Sequence, residues 1–128
     1  MRRYRVLASA ALAFGFPLLL AGTGPPQSVT IVGEVVDTTC YLLHEGKGPE
    51  HRDCAVTCVK AGAPAAILDD RTRDLVFPLS PVSAESHHGK RPDEMLLPYV
   101  GKRVRVSGKA VRRGGVSAIV IEKVEEAR

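Results

Sequence analysis

Residues 97–126 read LPYVGKRVRVSGKAVRRGGVSAIVIEKVEE. Val104 and Val106 alternate with Arg103, Arg105 and Ser107, which is the period of a half-buried strand. Arg112, Arg113, Gly114 and Gly115 then form a turn, because two consecutive glycines tolerate positive φ. Residues 116–126 supply a second strand. The pattern is a closing hairpin with one face turned inward. Just upstream, residues 92–102 read PDEMLLPYVGK. Pro92 suits a helix start and Asp93 and Glu94 complement its positive end, so a short helix or turn runs to about Gly101.

Earlier in the chain, SVTIVGEVVDTTC (28–40) reads as a first long strand. Val29, Ile31, Gly33, Val35 and Asp37 share the more apolar parity and are expected to face the core. Gly33 suggests a bend or bulge. PAAILDD and DLVFPLS are two further short strands joined through the polar DDRTRD turn. Between the first strand and this hairpin lies residues 40–62, with a helix expected over about 49–61. Gly48 stands at its N-cap, Pro49 at its first turn and Gly62 just past its end.

Strand, insert, hairpin, short helix and closing hairpin predict a mainly β fold, a five-stranded Greek-key barrel with a short helical insert between the first two strands. The stretch 97–126 resembles the C-terminal half of OB-fold proteins, most closely over residues 96–124. GEVVD at 33–37 looks like their first strand, and the whole resemblance spans about 29–124. With its insert and leader, the chain is similar to small exported bacterial OB-like proteins. One exported OB-fold protein is the haem chaperone of cytochrome c maturation. Its haem-attaching histidine has no counterpart here, where residues 124–128 read VEEAR, and that function is not carried over.

The first 23 residues have the layout of an export signal. A basic MRRYR precedes fifteen uncharged residues, VLASAALAFGFPLLL, too short a run for a typical spanning helix. Cleavage would fall near Ala21, Gly22 or Thr23. An uncleaved segment would instead anchor the protein to the membrane. Residues 24–28 read as a linker and 29–125 as the domain. The full chain carries a net charge of +4, but without Arg2, Arg3 and Arg5 it holds 15 basic against 14 acidic residues. Net charge therefore gives no argument for nucleic-acid binding. Export implies a periplasmic or extracellular location, where disulfides can form.

Cys40, Cys54 and Cys58 are the only cysteines in the sequence, and an odd number cannot pair fully within one chain. On a helix, His51, Cys54 and Cys58 fall within about 60° of one another, so they share a face. Cys40, at the end of the first strand, can return to that face through the glycine-containing connection. Three sulfurs and one nitrogen make a complete tetrahedral donor set for zinc, or a thiolate-rich one for copper. His44 is a further candidate or a substitute for His51. The competing reading is a disulfide from Cys40 to Cys54 or Cys58 that pins the insert and leaves one thiol spare. A third is thiol redox chemistry, although the CxxC motif of thioredoxin-like proteins is missing.

Other features give weaker signals. His87 and His88 lie in a polar loop and read as solvated, with an auxiliary metal contact or pH-sensitive patch as the alternative. Lys102, Arg103, Arg105, Lys109, Arg112 and Arg113 form a basic strand and turn without interleaved aromatic stacking partners, which argues for a solvated face over a nucleic-acid surface. Asp69 and Asp70 read as turn residues. No nucleophile elbow, phosphate-binding glycine loop or zincin motif is present, so nothing in the sequence argues for an enzyme. The expected function is metal handling or structural closure in the cell envelope. The alternatives are a disulfide-stabilised module that binds another envelope protein, and a thiol-redox protein.

Overall fold

The computed structural model describes residues 25–80 and 92–128. The export signal expected over 1–23, and His87 and His88, lie outside the described residues. Five strands, β1 (Gln27–Asp37), β2 (Ala65–Asp69), β3 (Leu75–Leu79), β4 (Arg103–Arg113) and β5 (Val116–Glu126), close into a barrel in the order β1-β2-β3-β5-β4. This is the OB-like Greek-key arrangement expected from the element order. β1 pairs antiparallel with β4 over Gln27–Glu34 and with β2 over Gly33–Asp37. β3 and β5 run parallel from Val76↔Ser117 to Leu79↔Val120. β1 starts two residues inside the expected linker.

The inward parity of β1 is as expected. Val35 is fully buried in the core, with Val29 and Ile31 packed against it. Ile67, Val76, Val104, Val106, Ile119 and Ile121 complete the barrel interior from the other four strands. The short helix α3 (Pro92–Leu96) and a 3₁₀ turn (Leu97–Tyr99) bridge β3 and β4. They contribute the fully buried Leu96 and precede Val100, whose backbone bridges to Val35.

Gly33 marks the place where β1 passes from β4 to β2. A Cβ there would collide with the Leu68 carbonyl, so the close backbone approach requires glycine. The register shift in the sheet lies elsewhere, between Ser107 and Gly108. In the β2–β3 turn, Asp69 Oδ1 accepts from the Arg71 amide at 2.7 Å, which accounts for Asp69 as a turn former.

The insert differs from the expected form in one respect. The first strand ends at Asp37 rather than continuing through Cys40. Residues Thr38–His44 form a separate helix, α1. Asp37 Oδ1 accepts from the Thr39 amide at 2.9 Å and caps it. Thr38 donates twice to the Pro64 carbonyl, from its amide at 3.0 Å and its hydroxyl at 2.9 Å, tying the helix start to the entry of β2. The local helix-capping bond and this tertiary anchor end the extended run.

Candidate metal centre

The second helix of the insert falls where its punctuation places it. Pro49–His51 forms a 3₁₀ turn that runs into α2 (Arg52–Lys60). Gly48 precedes it at φ 83°, and its amide donates to Glu34 Oε1 at 2.5 Å, fastening the turn to β1. Gly62, at φ 108°, follows the helix and donates to the Val59 carbonyl. Ala55 and Val59 bury one face of α2 against the barrel core. Arg52 Nε donates to the Val100 carbonyl at 3.2 Å, while its stem lies over Gly101.

These anchors bring the two helices of the insert together at Cys40. Donor atoms of Cys40, His51 and Cys54 lie within 4.8 Å of one another, and so do those of Asp37, Cys40 and Cys58. The two triads share Cys40. A tetrahedral zinc site with thiolate ligands has donor-to-donor edges of about 3.8 Å, so within each triad the donors stand at most about 1 Å wider than such a site. A site of three cysteines and one histidine is geometrically possible here. His44, the exposed last residue of α1, belongs to neither triad. Cys54 is exposed, whereas Cys40 and Cys58 are half-buried, and all three are free thiols.

Cys40 sits beside a carboxylate, and this decides its ionisation. The Asp37 carboxylate, by accepting from the thiol, pushes the Cys40 pKa up to about 12, with partial burial and the carboxylate charge acting in the same direction. Burial also raises Cys58, opposed by its contact with Cys40 and reinforced by the charges of Cys54 and Asp37. A cation reverses this preference, because it stabilises thiolate and neutralises the carboxylate.

Among the described residues, two buried side-chain polar atoms have no hydrogen-bond partner, and both lie in this region: Asp37 Oδ2 and His51 Nε2. A thiol is a weak donor, and Asp37 Oδ2 has no well-formed hydrogen bond. The His51 ring packs on Gly46, where a Cβ would stand 2.6 Å from Nε2. Orphaned polar atoms are uncommon in folded proteins, and here both belong to residues of the two triads.

Sequence reasoning brought Cys40, His51, Cys54 and Cys58 to one place but missed Asp37, which it treated only as an inward position of the first strand. The available signal was an acidic residue on the apolar parity of β1, directly before a cysteine-bearing segment. Part of the basic run at 102–113 is met by carboxylates at the surface. Arg103 pairs with Asp70 at 2.7 Å, Lys102 with Glu126 at 3.0 Å and Arg112 with Asp74 at 3.6 Å. No helix among the described residues is long and apolar enough to cross a membrane. No protein-family model, curated protein or solved structure matches the chain.

Proposed function

We propose that this chain is an exported metal-binding protein whose helical insert holds one zinc or copper ion through Cys40, His51, Cys54 and Cys58. The observation that carries this reading is the convergence on Cys40 of donors from α1, the 3₁₀ turn and α2. The unpartnered His51 Nε2 supports it, since a buried imidazole nitrogen without a hydrogen-bond partner on a residue of the triad suits a ligand. Export rests on the basic and apolar leader, and it assigns the protein to the cell envelope. The exposed Cys54 leaves one side of the centre open to solvent, which suits metal handling better than a closed structural site.

A second reading has its own support. Cys40 contacts both Cys54 and Cys58, so oxidation would join it to one of them and leave a single thiol. That product would be a disulfide-fixed module for binding another envelope protein.

Metal analysis and a free-thiol count on protein purified from the periplasm separate the two readings. The expected result is about one zinc or copper per chain, lost in Cys54→Ser. Because Cys54 is exposed, this substitution leaves the barrel core untouched. Two thiols consumed in a stable disulfide, with no metal bound, would overturn the metal reading.

A further inference from the structure

We propose that Asp37 is itself a donor of this centre, and that its carboxylate selects a divalent cation of the zinc class over Cu(I). The proposal rests on the metal-binding reading above and identifies the kind of ion that the centre takes.

Asp37 is fully buried, at 0 % exposure. One oxygen is already committed, because Oδ1 accepts from the Thr39 amide at 2.9 Å. That bond fixes the plane of the carboxylate and leaves Oδ2 buried without a partner. The Asp37 carboxylate belongs to the triad with the Cys40 and Cys58 sulfurs, all within 4.8 Å. No ion pair of Asp37 with a lysine or arginine is present among the described residues; Arg103, Arg105 and Arg112 of β4 pair with surface carboxylates instead.

A buried carboxylate without a cationic partner is unfavourable unless it is protonated or meets a positive ion. Its immediate neighbours are thiols, which become anions on binding metal. Two or three thiolates and a carboxylate in one cluster would repel strongly unless a cation of charge two or more sat among them. Ligand softness points the same way. Carboxylate oxygen is a hard donor that suits zinc well and Cu(I) poorly, whereas thiolates accept both. A set of three sulfurs and one imidazole discriminates little between the two ions. Adding Asp37 Oδ2 shifts the set toward the borderline divalent ion.

The position in the fold adds a mechanical element. Asp37 is the last residue of β1 and the cap of α1, three residues before Cys40, the helix's third position. An ion held by Asp37 and Cys40 therefore spans the strand-to-helix junction, and drawing in Cys58 links that junction to α2.

The test is a titration of the full chain with Zn²⁺ alone and with Cu(I) alone, each against a competing chelator, under anaerobic reducing conditions. Wild type is compared with Asp37→Asn, which keeps an oxygen to cap Thr39, and with Asp37→Ser, a second capping residue. The expected result is a loss of about 10- to 100-fold in zinc affinity in both variants, with Cu(I) affinity changed by less than about threefold. Circular dichroism without metal should show α1 and the barrel intact. A Co²⁺-loaded sample should show altered d–d bands in Asp37→Asn while the thiolate charge-transfer bands persist. Unchanged zinc affinity in both variants, or equal losses for both ions, would overturn the assignment of Asp37 while leaving the centre in place. Failure of wild type to bind either ion would overturn the centre and this assignment together.

Discussion

The Thr39 amide donates a 2.9 Å hydrogen bond to Asp37 Oδ1, and this contact makes the last residue of β1 the cap of α1. One carboxylate thus serves the helix with one oxygen and faces two cysteines with the rest of the group. The cap and the thiol contact can be separated by substitution. In metal-free protein, Asp37→Ala should be less stable than Asp37→Asn by about 1 kcal/mol, because alanine cannot accept from Thr39. Urea unfolding in the presence of chelator measures the difference. Equal midpoints would mean that the cap contributes nothing to the fold.

The raised Cys40 pKa sets a pH dependence with a definite sign. The thiol titrates at 9.0 when unperturbed and is held at about 12 in the fold. The folded chain therefore keeps a proton that the unfolded chain loses. The stabilisation is fully present below pH 9 and is lost as pH rises from 9 toward 12. Metal-free wild type should lose stability over that range, and Cys40→Ser should lose less. Denaturation midpoints at pH 8 and pH 10.5 decide the point.

Metal binding should carry the opposite pH trend. The ion must displace thiol protons, so apparent affinity rises with pH, by about tenfold per unit for each proton released. A steep rise between pH 6 and pH 8, read by chelator competition in buffers of matched ionic strength, is the expected outcome. A flat profile would mean that no thiol is deprotonated on binding.

Gly46 controls the approach of His51. A Cβ there would lie 2.6 Å from Nε2 and 2.8 Å from Cδ2 of the ring, which must then move. Gly46→Ala should weaken metal binding by about tenfold, the size of effect seen when a ligand's support is lost. Unfolding of the metal-free chain should change little, since Gly46 lies outside the barrel core. Isothermal titration and urea unfolding on the same sample separate the two effects.

Gly33→Ala tests the barrel rather than the site. Its new Cβ would run into the Leu68 carbonyl and come within 3.0 Å of Ile67 Cγ2, neither of which is a flexible chain end. A loss of about 1–3 kcal/mol follows, seen as a fall in Tm of several degrees. Gly62→Ala meets no atom, and its cost of about 1 kcal/mol comes only from the positive φ.

The barrel was legible because strand periodicity is a local property. Val29, Ile31 and Val35 on one parity, and Val104 and Val106 on another, carry the core in their spacing. Gly48, Pro49 and Gly62 likewise marked α2 through backbone preferences that need no tertiary partner. Helix α1 was hidden for the opposite reason. TTCYLLH follows a strand without a break in composition, and its start depends on the Asp37 cap and on the Pro64 carbonyl 26 residues away from Thr38.

The candidate site divides in the same way. The sequence by itself set His51, Cys54 and Cys58 at three- and four-residue gaps, which on a regular α-helix share one face, although His51 lies in the 3₁₀ turn and Cys58 belongs to the other triad. It also determined that Cys40 had to come from another element. Only the tertiary structure decided that Cys40 arrives on a helix, that it joins two triads, and that Asp37 stands beside it with one oxygen unpartnered among the described residues. The physical reason is that burial and partnering depend on long-range packing. A carboxylate at an inward strand position is only an anomaly in the sequence; its meaning appears when its neighbours prove to be thiols.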